Sequence, residues 1–217
     1  MPYTNKILQY ITEGEHVEQD FKFEISDSKK IARSLAAFAN TQGGRLLVGV
    51  KDNGNISGVR SEEEFYMIEA AAHMYCKPPV PFQAKEWDVN GKTVLEIKIA
   101  KSDYKLHKAP DNDGKFKVYV RVNDQNLLAN AIYINAQKQK KRPEGKAFLL
   151  SEPVKKLLDL LNNEETVTAG KFKRLAEINS RTANRILTDL VAMNIIRIHF
   201  TDKLTYYSLV PTSENDK

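Results

Sequence analysis

The run AAFANTQGGRLLVGVKDNGNISGV, residues 36–59, constrains the fold of this chain more than any other stretch. Upstream of it, Ile31, Leu35 and Phe38 recur at helical spacing with Ala32, Ala36 and Ala39 beside them. That pattern predicts a helix over 26–40, with Ser26 as its cap and Asp27 at the positive end of the helix dipole. The small residues would let this helix lie close against a sheet. Gly43 and Gly44 then permit backbone angles closed to other residues. RLLVGV follows with nearly continuous apolar character, as expected of a strand covered on both faces. DNGN is a turn signal and ISGV reads as a returning strand. A phosphate-binding P-loop needs glycines followed by Lys-Ser/Thr and then a helix. NTQGG has the reverse order, helix, glycines, strand, so the glycines are read as a corner.

The rest of the first 135 residues continues a mixed pattern. SEEEFYMIEAAAHMYC (61–76) reads as a second helix with acids in its first turn, ended by KPPVP. Strands are expected at 82–88 and 93–100, joined at VNGK, and at 115–122, where KFKVYVRV alternates. QNLLANAIYINAQKQKKR is read as helical and runs into a basic segment. Strand pairs joined by short turns favour an α+β domain over a doubly wound parallel sheet.

Beyond RPEGK (142–146) the pattern changes to three short helices and a hairpin. Val154, Leu157, Leu158 and Leu161 share one helical face behind a Ser151 cap. Phe172, Leu175 and Ile178 follow a start at Thr168. Ala183, Ile186, Leu187, Leu190 and Val191 follow a Ser180 cap. IIRIHF and LTYYSL flank TDK as a hairpin. This is the outline of a winged helix. The expected organisation is therefore an α/β domain at 1–137, a basic linker at 138–147, a winged helix at 148–211 and a tail at 212–217.

Charge is unevenly spread. The chain carries a net +5, yet residues 1–135 hold 18 basic and 18 acidic side chains. The basic excess lies in 136–147, with 5 basic residues against 1 acidic, a composition that attracts polyanions. A single cysteine, Cys76, leaves no internal disulfide and no Cys-rich zinc site. His16, His73, His107 and His199 are scattered singly and are read as surface or packing residues. No apolar run is long enough to span a membrane, and the first residues lack a signal-peptide core, so a cytoplasmic location is expected.

DFK at 20–22, AFANTQGGRLLVGVKDNGNISGV and YVRVNDQNLLA at 119–129 together resemble the Schlafen-type AlbA-like domain over about residues 10–135. The resemblance implies a compact α/β domain that handles nucleic acid, DNA or RNA, with Lys22 among its candidate contacts. Some Schlafen proteins are metal-dependent ribonucleases with three acidic site residues. By their motif, Glu15, Asp20 and Asp52 would be the catalytic and metal-binding set here, holding Mg²⁺ or Mn²⁺. Two departures bear on this: Asp20 stands where the family has Glu, and Lys51 stands where it can have an acid. Glu18 is a substitute ligand. Those ribonucleases clasp RNA with two related halves, so this chain would act as a homodimer.

The C-terminal segment points to a different contact. In a winged helix the third helix enters the major groove and the wing touches the backbone. Arg181, Thr182, Asn184, Arg185 and Thr188 lie off the apolar stripe of that helix, and Arg and Asn read guanine and adenine edges. Lys171, Lys173 and Lys203 are candidate phosphate contacts, as are Lys138, Lys140, Lys141 and Arg142 of the basic segment. Three readings result: a DNA-binding transcriptional regulator, a homodimeric metal-dependent ribonuclease, and an assembly module whose winged helix binds protein.

Overall fold

The structure is a computed structural model that describes residues 6–103, 105–140 and 150–211. By contact the chain divides into two units, Met1–Ala129 and Asn130–Lys217.

The first unit runs α1 (Lys6–Glu13), β1 (Gln19–Lys22), α2 (Ser28–Asn40), β2 (Gly44–Val48), α3 (Glu63–His73), β3 (Phe82–Val89), β4 (Lys92–Ile99), β5 (Lys108–Pro110), β6 (Phe116–Val122) and β7 (Gln125–Leu128). A mixed sheet has the order β1-β2-β4-β3, and an antiparallel sheet the order β5-β6-β7. β1 and β2 are parallel, joined through α2, and the other neighbours in the mixed sheet are antiparallel. The unit is thus α+β, as its patterning implies.

The apolar run in β2 is buried on both faces. Leu46 and Val48 join Leu35, Phe38, Ile68, Ile97 and the α2 alanines in one core. Leu47 points the other way, into a cluster with Ile7, Phe21, Val50 and Val94. The corner reading of the two glycines has a steric basis. A Cβ on Gly43, whose φ is +80°, would lie 2.8 Å from both Ile99 O and Lys101 N. One on Gly44 would lie 2.5 Å from Phe38 Cδ1 and 2.7 Å from Glu18 O. Helix, corner and strand approach too closely there for any side chain.

Local details differ from the sequence reading. Asp27, not Ser26, caps α2, its Oδ1 accepting from Lys29 N at 2.8 Å and Lys30 N at 3.3 Å. ISGV forms only an isolated bridge, Val50 to Ile56, because the backbone at Gly49 turns to bond Ser57 and Gly58 instead of extending a ladder. QNLL is strand β7, paired with β6 through the turn at Asn123–Asp124, rather than the start of a helix.

The second unit runs α4 (Ala131–Lys140), α5 (Glu152–Asn163), β8 (Val167–Thr168), α6 (Ala169–Leu175), α7 (Ser180–Ala192), β9 (Ile196–Phe200) and β10 (Thr205–Leu209). Its sheet has the order β8-β10-β9. Val154, Leu157, Leu161, Phe172, Ala183, Ile186, Leu187, Leu190 and Tyr207 form one core, and α4 contributes Ile132 and Ala136 to it. The unit boundary therefore falls at 129/130, ahead of the expected 137/138. Residues 138–140 of the expected linker are the last turn of α4, held by that burial. Asn179 rather than Ser180 caps α7, accepting from Thr182 N at 2.9 Å. No helix among the described residues is long and apolar enough to cross a membrane.

Candidate functional site

The acidic residues singled out by the sequence are placed by β1 and the segment before it. Gln19 and Asp20 are 0% and 3% exposed, because β1 runs beside β2 at a sheet covered on both faces. Glu15 Oε1 accepts from Phe21 N at 2.8 Å, which folds its carboxyl back along the strand beside that of Asp20.

Asp20 is met by two cations. Arg121 Nη2 donates to its Oδ1 at 3.1 Å, and Lys22 Nζ lies 2.8 Å from its Oδ2. The Lys22 contact is an ion pair without hydrogen-bond alignment; the ammonium donates instead to Phe21 O at 2.6 Å. Arg121 comes from β6, 3% exposed, and also donates to Gln19 O at 3.2 Å and Asn126 Oδ1 at 3.2 Å. Burial and the hydrogen-bonding Asp20 carboxyl raise the pKa of Glu15. Burial pushes Asp20 upward, but the Lys22 charge, the Glu15 hydrogen bond and the Arg121 charge outweigh it and hold Asp20 below its ordinary value. The surroundings thus push the proton affinities of the two neighbouring carboxyls apart, Glu15 upward and Asp20 downward.

Asp52 does not join them. It is exposed in the turn closed by Gly54 N on Lys51 O at 2.8 Å. Among the described residues no three His, Cys, Asp or Glu side chains are arranged to hold a metal ion. The expected convergence of Glu15, Asp20 and Asp52 is corrected accordingly. Asp20 is instead engaged by the basic side chains of Arg121 and Lys22, and Glu15 by the Phe21 amide. Glu18 is exposed and does not complete a set.

The residue that the sequence reading missed is Arg121. It sits in YVRV between valines, and Val118, Tyr119 and Val120 before it are all buried. An arginine inside a run buried on both faces requires a buried acid, and that signal was present in the sequence. Arg45, half-buried at the start of β2, is a second arginine the sequence reading passed over. Its guanidinium lies 3.5 Å from the Tyr10 ring centroid and 3.6 Å from Glu13 Oε2, and Nη1 donates to Gln19 Oε1 at 3.3 Å.

In the second unit, Arg181, Asn184 and Arg185 are exposed on α7, and Thr182 is half-buried. Thr188, expected beside them, is 5% exposed and faces the core. Lys173 and Lys203 are exposed, whereas Lys171 is ion-paired to Glu164. Lys138 and Lys140 are exposed at the end of α4. Lys141 and Arg142 lie outside the described residues.

The family model described as Schlafen, AlbA_2 matches residues 13–130, more than half of the chain. The chain belongs to the Schlafen AlbA_2 family. The matched span closes one residue after the first unit, so the AlbA_2 domain and that unit coincide at their C-terminal limit. No curated protein matches the chain. Among solved structures, the DIP2311 protein from Corynebacterium diphtheriae is similar at 21% identity and a TM-score of 0.43, over 61% of this chain and 28% of that one. The chain therefore spans under a third of that protein's length. The N-terminal domain of a RecG-related protein from Nitrosomonas europaea is similar at 17% identity and a TM-score of 0.36, over 70% of this chain and 94% of that one.

Proposed function

We propose that this AlbA_2 protein binds duplex DNA, with its second unit acting as a winged helix and α7 as the reading helix, in the manner of a transcriptional regulator. The observation that carries the reading is the two-sided character of α7. Ala183, Ile186, Leu187, Leu190 and Val191 face the core, while Arg181, Asn184 and Arg185 face solvent together. Among the described residues no hydrogen bond or ion pair engages those three side chains, and they suit base edges in a major groove. Lys203, at the tip of the β9–β10 hairpin, and Lys173 are exposed and would meet phosphates, with Thr182 at the start of the helix. Lys171 contributes less, since binding phosphate would require leaving Glu164. Lys138, Lys140, Lys141 and Arg142 supply sequence-independent attraction, and Lys22 is a further candidate contact in the AlbA_2 domain.

The test is duplex binding over a salt series. Arg181→Ala and Arg185→Ala should each weaken binding to a selected sequence by about 1–3 kcal/mol, the usual worth of one bidentate base interaction. Neutralising Lys138, Lys140, Lys141 and Arg142 should weaken all sequences alike and flatten the salt dependence, because phosphate contacts release counterions. Unchanged binding in both sets removes the proposal. Salt-insensitive self-association without DNA affinity would favour a protein-binding role for the same unit.

A further inference from the structure

A cleft of about 450 Å³ lies in the AlbA_2 domain between the start of α3 and the β3–β4 hairpin, away from the Glu15–Asp20 pair. Its volume is in the range of small-ligand sites. Val59, Phe65 and Leu95 give it an apolar lining, and Tyr66, 60% exposed, adds an aromatic ring. Glu62 and Glu86 stand at it from opposite elements, α3's N-cap and β3, both exposed.

The charge at this cleft is negative. The cation that lines it, Arg60, is engaged elsewhere: Nη1 lies 2.9 Å from Glu24 Oε2, and the guanidinium sits 5.0 Å from the Phe23 ring centroid. Beside the cleft, Glu64 is 6% exposed and accepts from Arg60 N at 3.3 Å and Ser61 N at 3.0 Å. Glu64 has no cationic partner among the described residues. Its carboxylate folds back onto the two amides just ahead of α3 and adds a further negative charge beside the cleft. Carboxylates at two sides, an exposed aromatic ring and an apolar lining together favour positive charge on an apolar stem.

We propose that this cleft binds an organic cation, an ammonium or guanidinium group carried on an apolar or aromatic body. The group could belong to a free amine or to a basic side chain of a peptide. The inference does not depend on DNA binding by the second unit.

The experiment titrates the ¹⁵N-labelled full chain with phenethylammonium, with a short peptide bearing one central arginine, with neutral 2-phenylethanol and with inorganic phosphate. The expected result is saturable shifts confined to residues 59–66, 86 and 93–95 for the two cations, with the alcohol and phosphate far weaker. Glu62→Gln/Glu86→Gln should weaken the cations by roughly three- to tenfold and leave the alcohol unchanged, as exposed ion pairs of modest strength would. Tyr66→Leu should weaken them by a further few-fold. Tighter binding of the peptide than of the free amine identifies a protein partner as the source, and the reverse order a small molecule. Equal binding of alcohol and amine, preference for phosphate, or shifts that are diffuse and unsaturable would each overturn the proposal. Both glutamates are exposed, so an unchanged spectrum elsewhere certifies the fold of the double variant.

Discussion

Replacing Arg121 with Met should be among the most damaging single changes in the AlbA_2 domain. Met keeps much of the side-chain volume, so the packing cost is small. The electrostatic cost is not. The Arg121 and Asp20 side chains are 1% and 5% exposed and lie 3.1 Å apart. At an effective dielectric of about 20, a pair at that separation interacts by on the order of 5 kcal/mol before desolvation is subtracted. Removing the cation takes the Arg121 donor from Asp20 Oδ1 and from Gln19 O, which keeps the His16 amide. Breaking a buried pair from one side costs about 3–5 kcal/mol. Lys22 remains on the other Asp20 oxygen with a side chain 34% exposed, which places the expected loss at about 3 kcal/mol, the lower end of that range. Urea unfolding followed by the fluorescence of Trp87 is the assay. Trp87 is the chain's one tryptophan and its Nε1 donates to Glu96 at 2.8 Å, so it reports the first unit. Adding Asp20→Asn to Arg121→Met should recover part of the loss, because the double variant no longer buries a lone charge. A loss below about 1 kcal/mol, typical of an exposed pair, would refute the argument. Strict additivity of the two single losses would also refute it.

Other outcomes can be checked with the same unfolding measurements. Gly44→Ala should destabilise by about 1–3 kcal/mol, since its Cβ would fall 2.5 Å from the Phe38 ring, whereas Gly91→Ala meets no atom and should cost only the left-handed backbone penalty of about 1–2 kcal/mol. Because the folded pKa of Glu15 is raised, the wild-type protein loses stability as pH rises from the unfolded carboxyl value through the folded one. Glu15→Gln should therefore gain relative stability across that window, and a pH-independent difference would contradict the raised Glu15 pKa. Asp20 has the opposite sign. Its contribution is present above the unfolded value and disappears as pH falls through the lowered folded value, so Asp20→Asn should flatten the acid limb of the stability curve. A fragment beginning at residue 130 should unfold cooperatively, while one beginning at 148 lacks Ile132 and Ala136 and should be weaker by about 2–5 kcal/mol; equal midpoints would show that α4 does not belong to that core.

Helix α2, the glycine corner, the doubly buried β2, the β3–β4 hairpin and the succession of α5, α6, α7 and the β9–β10 hairpin were legible in the sequence, whereas β8 was not. Each of the former is written in local chemistry: apolar period, turn residues and positions open only to glycine. The two carboxyls of Glu15 and Asp20 stand out as a pair only through the resemblance to the Schlafen motif, not from local patterning. What surrounds them was not legible. Asp20 receives its buried cation from Arg121, a hundred and one positions away in sequence, and pairing at that range depends on which strands the sheets bring together. The same limit explains Asp52. Its turn was foreseen, but whether a turn acid reaches a neighbouring strand's acids depends on the direction in which the turn projects. It explains β7 and α4 as well: QNLL alternates too briefly to announce a strand, and Ile132 and Ala136 become core only when α7 lies against them. Local sequence therefore determined which segments could be helix, corner and strand. Tertiary structure alone decided which charges meet, because a buried ion pair forms only where the folded chain removes both partners from water together.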